Sequence, residues 1–393
     1  ALSSLSELIQ EDLSGISAIK IYGQETAEKE AFARRNKKYR NSAINLARSA
    51  STLFPLLQGI SSISLLLLIG LGSIQLEKGT LTIGSLVALI LYVERLVFPT
   101  ALLGFTLNTF QIGQVSLNRI EELLQRKAKI RDYPNQKKRQ KNNSEGILEA
   151  KGLTIKYEKS NRKILNKLDF IIKEGELVAL VGPIGCGKTT IARAIGRMIE
   201  VPQDQLFLNG SDITSLPLEF LRKNIAFVPQ ESYLFTNTLA ENIKYGEPEA
   251  SFERVKEASL QARLFDDIKG FPDGFETLVG ERGITLSGGQ RQRAALSRAL
   301  LVKSPIIILD DSLASVDNDT AAGILLSIRK KKNQTILLIS HQLSATATCD
   351  RILVMDEGEI IQEGTHKELI KINGIYKGLW ERKKAEERLE NLN

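Results

Sequence analysis

Leu177-Val178-Ala179-Leu180-Val181-Gly182-Pro183-Ile184-Gly185-Cys186-Gly187-Lys188-Thr189-Thr190-Ile191-Ala192-Arg193-Ala194-Ile195 divides into three parts. Five apolar residues predict a buried strand. The octet Gly182 to Thr189 fits G-x-x-x-x-G-K-[ST], and the residues after it predict a helix. Glycines let successive backbone N–H groups turn toward one point, where the helix N-terminus adds its positive dipole end. A phosphate chain is the ligand such a cradle holds, lying along Gly182, Gly185, Cys186, Gly187 and Thr190. Lys188 reaches the outer phosphates and the Thr189 hydroxyl can ligate Mg²⁺. Cys186 sits at a position whose side chain the cradle does not require, and a helix N-terminus favours its thiolate, so a reactive thiol is one expectation here.

A second segment, Leu286-Ser287-Gly288-Gly289-Gln290, opens a run of helix formers from Arg291 to Leu300. Ser287 and the two glycines therefore sit at another helix start, a second place for phosphate. One compact domain cannot easily embrace a nucleotide with both ends. Two copies facing each other can.

These residues, with others in a fixed order, resemble the ATP-binding cassette (ABC) family from about Ile147 to the C-terminus. By that resemblance Tyr157 stacks on adenine, and Gln230 of Val228-Pro229-Gln230 senses Mg²⁺ and the attacking water. Then follow Val279-Gly280-Glu281-Arg282-Gly283, which resembles an exporter-specific loop, the Leu286 to Gln290 signature, Asp310-Asp311, the loop Ala314-Ser315-Val316-Asp317, and His341. Pro305 to Leu309 and Thr335 to Ser340 are too uniformly apolar to have a wet face, so both are expected as buried parallel strands delivering Asp310 and His341 to one sheet edge. There Asp310 holds Mg²⁺, the next side chain orients or deprotonates water, and His341 stabilises charge on the γ-phosphate. His366, in Thr365-His366-Lys367-Glu368, belongs instead to a capping box and is expected to be structural surface.

One position departs from the family. The residue after the strand-end aspartate is usually Glu, and this chain has Asp311. Its carboxylate stops about 1.5 Å short of where a Glu would reach, so the resemblance implies a weakened, ATP-binding site. In heterodimeric ABC exporters such an Asp marks the subunit with the degenerate site. A heterodimer is the favoured expectation, with a slow homodimer as the alternative.

The 393 residues hold two domains. The uncharged run from Leu53 to Leu76 and a second from Leu81 to about Phe110, broken only by Glu94-Arg95, are each long enough to cross a bilayer. Glu77-Lys78-Gly79-Thr80 joins them into a hairpin. Arg34, Arg35, Lys37, Lys38, Arg40 and Arg48 precede the first span, and Arg119, Arg126, Lys127 and Lys129 follow the second. The excess of positive charge places those ends in the cytoplasm and the chain in the cell membrane as a multi-pass protein. Glu94 and Arg95 face either a transported molecule or a partner helix, and Pro99 can supply a kink. Ile16 to Tyr22 resembles a coupling helix of exporters, with plain amphipathic packing as the alternative.

The net charge of +7 could suggest nucleic acid, but its excess lies beside the spans and in a polar stretch with Lys137, Lys138, Arg139 and Lys141. Without interleaved aromatics for base stacking, that stretch reads as a connector near anionic lipid, and no nucleic acid is expected. Two cysteines are too few for a disulfide framework. Asp356-Glu357-Gly358 signals a hairpin, and Ile375 to Leu392 a charged amphipathic helix packing on the ATPase domain or on a partner.

The expected organisation is thus an α-helical transmembrane segment followed by an α/β P-loop NTPase. It comprises a partial transmembrane domain over 1–125 (cytoplasmic helix 1–50, membrane helices about 52–76 and 82–108), a basic linker over 126–146, and an ABC nucleotide-binding domain over 147–393. Because the family has six membrane helices per half-transporter, the chain is expected to be a fragment lacking the first four. The resemblance implies ATP and Mg²⁺ as ligands, a second ABC half-transporter as partner, and export of a drug, lipid or peptide. A regulatory subunit with little hydrolysis and a non-transport mechanical ATPase are the alternatives.

Overall fold

The computed structural model describes residues 2–132, 146–156, 163–280, 283, 285–314, 316, 318–329 and 334–390. Tyr157, Glu281, Arg282, Asp317 and the basic run at Lys137 to Lys141 lie outside them. The chain forms two compact units that divide after Lys127.

The first unit is helical: α1 (Leu2–Ser14), α2 (Ile16–Ile21), α3 (Glu25–Glu77) and α4 (Ile83–Leu124). Leu5 and Leu8 are buried, and Arg35 on α3 donates to the Ser4 carbonyl at 3.2 Å, tying α1 to α3. α3 runs for 53 residues without a break, about 80 Å at 1.5 Å per residue. The expected boundary near residue 50 therefore leaves no mark on the backbone, and the polar and apolar stretches share one helix. Nor does Pro99 interrupt α4. α3 ends as Gly79 adopts φ 74°, with the Gly79 N–H donating to Leu76 and the Thr80 N–H to Gln75, both at 3.1 Å. This Schellman arrangement needs a left-handed residue. Thr82 then caps α4 by accepting the Ser85 N–H at 3.2 Å. A side chain at Gly72 would run into Leu86, so its absence lets the two helices approach closely. None of the apolar window of either helix is buried within the chain.

Among the described residues the second unit holds three sheets. An antiparallel sheet has the order β2-β1-β4-β5, from β1 (Leu148–Lys156), β2 (Lys163–Ile172), β4 (Leu206–Leu208) and β5 (Ser211–Asp212). The central sheet has the order β12-β11-β3-β10-β9-β6, from β3 (Leu177–Val181), β6 (Ile225–Val228), β9 (Ile306–Asp310), β10 (Thr335–Ile339), β11 (Arg351–Asp356) and β12 (Glu359–Gly364). It is parallel except for β12, which pairs antiparallel with β11. β7 (Asn237–Thr238) and β8 (Leu278–Val279) pair separately.

The unbroken apolar runs are explained by two cores, one on each face of the central sheet. Leu177, Ala179, Val181, Ile307 and Leu309 enter one core, with the helix Gly288–Leu301. Val178, Leu180, Ile306 and Ile308 enter the other, with α5 (Lys188–Ile195) and the antiparallel sheet. Alternation along a strand that is covered on both sides leaves no position for a polar residue.

The C-terminal helix Ile375–Glu390 packs on this unit: Tyr376 is fully buried, and Ile375, Leu379 and Trp380 lie against the first core. His366 does begin a capped helix, but it is half-buried, not surface. Its Nδ1 lies 2.7 Å from the Tyr376 hydroxyl, and its ring 4.5 Å from that of Trp380. The apolar side of the C-terminal helix needs cover, and His366 supplies part of it. Burial, and then the Lys384 ammonium, hold His366 below its ordinary 6.5. Folding thus favours the neutral imidazole, so this stabilisation is complete above pH 6.5 and is lost as pH falls through the folded value. Unfolding followed through Trp380, the sole tryptophan, should shift down by a few degrees between about pH 7.5 and about pH 5.5. His366→Gln should flatten that dependence.

Candidate nucleotide site

Register decides where the functional side chains emerge. Leu180 on β3, Ile339 on β10 and Asp310 on β9 form one row, and Val228 on β6 pairs with Leu309. The residues that follow these strands therefore leave the sheet together at its C-terminal edge. They are the glycine loop after β3, Pro229-Gln230 after β6, Asp311 after β9 and Ser340-His341 after β10.

The glycine loop runs from Gly182 to Gly187 between β3 and α5. Gly182 has φ 153°, and a Cβ there would collide with the Met355 carbonyl and come within 3.0 Å of the Cys186 sulfur. Cys186 is 6% exposed. Against the expectation of a reactive thiol stands this burial: the sulfur packs beneath the loop beside Gly182. Lys188 is also buried, and its Nζ donates to the carbonyls of Gly182 and Pro183 at 2.8 Å each. The ammonium therefore lies curled over the loop.

The Thr189 hydroxyl donates to Asp310 Oδ1 at 3.1 Å, joining residues 121 positions apart in the chain. Asp310 is 1% exposed. Burial raises its pKa and the neighbouring Asp311 adds to the rise, while the Thr189 bond opposes it. The remaining oxygen donors are the amide of Gln230, exposed at the end of β6, and Asp311. Among the described residues no group of three or more His, Cys, Asp or Glu could hold a metal. The hard-oxygen set here fits Mg²⁺, which takes one or two protein ligands and completes its shell from phosphates and water.

Asp311 adopts φ 48°, and its N–H donates to the Ile339 carbonyl at 2.8 Å. Its Oδ1 accepts the His341 N–H at 3.3 Å. The side chain thus folds back toward the end of β10, beside the exposed His341. Gln342, which the motif pattern did not single out, donates through Nε2 to the carbonyls of Ala314 and Val316 at 3.3 and 3.2 Å. It fastens the loop after Asp311 to the segment after His341. Only its position beside His341 could have pointed to it.

Ser287 is exposed and caps the helix Gly288–Leu301. Its hydroxyl accepts the Gln290 N–H at 3.2 Å, while its own N–H donates to Gln290 Oε1 at 3.0 Å. Gln290 also donates to Asp267 at 3.3 Å. Leu286 is buried at 4%, and Arg291 donates to its carbonyl at 2.6 Å. Leu286 and Gln290 therefore anchor the helix tip, and Ser287, Gly288 and Gly289 are the part it presents.

Comparison with known proteins bears on the family. The family model for the ABC transporter matches residues 165–314, and that for the ABC transporter transmembrane region matches residues 1–100. A multidrug resistance-like ATP-binding protein MdlA of Buchnera aphidicola subsp. Baizongia pistaciae is 38% identical over 94% of this chain and 63% of its own length. MdlA of Buchnera aphidicola subsp. Schizaphis graminum is 32% identical over 100% of this chain and 67% of its own. The solved structure of a bacterial Atm1-family ABC exporter with ATP bound superposes with a TM-score of 0.86 at 31% identity, covering 96% of this chain and 66% of that one. The chain thus spans less than two thirds of the first of these relatives.

Proposed function

Because this chain belongs to the ABC transporter family, we propose that it is the ATP-binding and permease subunit of an exporter. It couples ATP binding and hydrolysis to the export of a drug, lipid or peptide. α3 and α4 lie in the membrane with their basic flanks and the ATPase unit on the cytoplasmic side. They and the transmembrane-region match over residues 1–100 speak against a soluble mechanical ATPase.

The triphosphate lies along Gly182 to Thr190, with Lys188 on its outer phosphates and Tyr157 on the adenine. Asp310, Thr189 and Gln230 would hold Mg²⁺, which when bound neutralises charge on the β- and γ-phosphates. Asp311 orients the attacking water and takes its proton, and His341 donates to the γ-phosphate as negative charge develops there. Ser287, Gly288 and Gly289 serve a nucleotide held by a second half-transporter. Two ATPase units closing on shared nucleotides then move the membrane helices.

The observation that carries this assignment is the 3.1 Å bond from Thr189 to Asp310, which unites the phosphate loop with the strand-end carboxylate. Lys188→Ala should weaken binding of Mg-ATP by about 10- to 100-fold, the value of a charge-assisted bond to phosphate. Equilibrium dialysis measures it, and unchanged affinity would remove the site from the glycine loop.

A regulatory subunit with little hydrolysis is the second reading, favoured by the Asp311 carboxylate lying against the His341 N–H at 3.3 Å. In a heterodimer this chain's signature would complete the partner's active site, while Asp311 leaves its own site slow.

A further inference from the structure

Tyr376 is fully buried, yet it is bonded in three directions. Its N–H donates to Gln362 Oε1 on β12 at 3.2 Å, and its hydroxyl lies 2.7 Å from His366 Nδ1. Burial pushes that hydroxyl up to about 12, and a hydrogen bond with Thr346 works against the rise. One residue near the start of the C-terminal helix thereby holds β12, the helix His366–Leu369 and the helix Leu343–Thr346. A side chain at Gly374 would run into the Gln362 amide, so glycine there leaves Gln362 free to reach the Tyr376 N–H. Filling the core requires only a ring, which phenylalanine would supply. The hydroxyl needs another explanation.

The hold on Thr346 leads to the nucleotide edge of the sheet. Thr346 is fully buried and closes one helical turn, its N–H donating to the Gln342 carbonyl at 3.4 Å and its hydroxyl to the Leu343 carbonyl at 2.8 Å. The Gln342 N–H donates to Ser340 Oγ at 2.9 Å, and His341 lies between these two residues. The His341 ring is exposed, while its N–H is bonded to Asp311. An exposed ring has little packing to aim it, so its direction follows the backbone that carries it. That backbone is anchored by Ser340 at one end and, through Thr346, by Tyr376 at the other.

We propose that Tyr376 is a positioning residue for His341: its hydroxyl, acting through Thr346 and Gln342, fixes the turn from which the imidazole is aimed at the γ-phosphate. The proposal rests on the role given to His341 above. Tyr376 itself meets neither nucleotide nor water. What it supplies is order in the segment after β10, so that His341 is already in place when charge develops on the phosphate. The C-terminal helix is then a brace for the catalytic edge as well as a cover for the core.

The full chain, assembled with its partner half-transporter, is compared with Tyr376→Phe, His341→Ala and the two combined, by Mg-ATP affinity and by single-turnover phosphate release from this chain's site. Tyr376→Phe keeps the ring and its packing. It should lower release by at least about tenfold, since a misplacement of about 1 Å costs about a hundredfold, and leave Mg-ATP affinity unchanged. In the His341→Ala background the same substitution should have no further effect, because a residue that acts only through His341 has nothing left to aim. Amide hydrogen exchange of Gln342 to Thr346 should quicken in Tyr376→Phe, while that of the helix Gly288–Leu301 holds. Losses that add in the combined variant, a parallel loss of Mg-ATP affinity, or unchanged exchange after His341 would overturn the brace and leave the role of His341 standing. A His341→Ala chain that releases phosphate as fast as the unaltered one would sink that role, and the brace with it.

Discussion

Asp311→Glu, measured with the partner half-transporter present, should raise the rate of phosphate release from this chain's own site by about a hundredfold. General-base placement is worth about 10²–10⁴ in rate, and one methylene moves the carboxylate about 1.5 Å toward the nucleotide. A hundredfold gain corresponds to about 2.7 kcal/mol. Against this stands the backbone: Asp311 has φ 48°, a conformation aspartate tolerates better than glutamate. Strain of about 1 kcal/mol would trim the gain without cancelling it. The longer side chain would also give up the 3.3 Å bond from the His341 N–H. Asp311→Asn keeps that bond and removes the base, so its rate should drop at least tenfold while Mg-ATP affinity holds. Single-turnover phosphate release separates these outcomes. If Glu brings no acceleration and Asn no loss, Asp311 takes no part in the chemistry, and the chain hydrolyses little by design.

What could be read from the residues follows a physical division. Strands covered on both faces leave an unmistakable apolar run, so β3, β9 and β10 and the edge to which they deliver Asp310 and His341 were legible. Local chemistry was legible too: the helix start at Ser287, the Thr365 capping box and the Glu357-Gly358 turn each depend on neighbours within four residues. Contacts across long sequence separations were not. No local pattern announces that Asp132 will reach the Leu218 N–H, or that Gln342 will fasten two loops of the site.

Burial was greater than the residues announced at two positions. Cys186 was expected to be reactive because a helix N-terminus favours its thiolate, yet the close approach of Gly182 to Met355 closes the space beneath the loop. His366 looked like surface because capping boxes usually are, yet the C-terminal helix lies over it. Nor does a change from charged to apolar composition end a helix. α3 stays helical from Glu25 to Glu77, and Pro55, which has no N–H to donate, costs it one hydrogen bond without ending it.

Ser287 offers the second large effect, and a way to separate its two possible duties. As N-cap it accepts the Gln290 N–H at 3.2 Å, and Ala there would cost about 1 kcal/mol of helix stability. Asparagine caps as well as serine does, so Ser287→Asn preserves the helix start while replacing the group presented beyond it. If capping were the whole of its work, Asn would be silent and Ala mildly destabilising. If the tip of Ser287, Gly288 and Gly289 grips the nucleotide of the opposite half, both variants should lower turnover at the partner's site by about a hundredfold, the scale of losing a phosphate-directed donor in a closed site. Mg-ATP binding to this chain's own Lys188 loop should be unaffected. Combining Ser287→Asn here with an unaltered partner, and then reversing the pair, assigns the loss to one site of the two. A loss confined to this chain's own nucleotide would mean that the two helix starts serve a single molecule of ATP within one subunit, and the shared-site dimer would have to be abandoned.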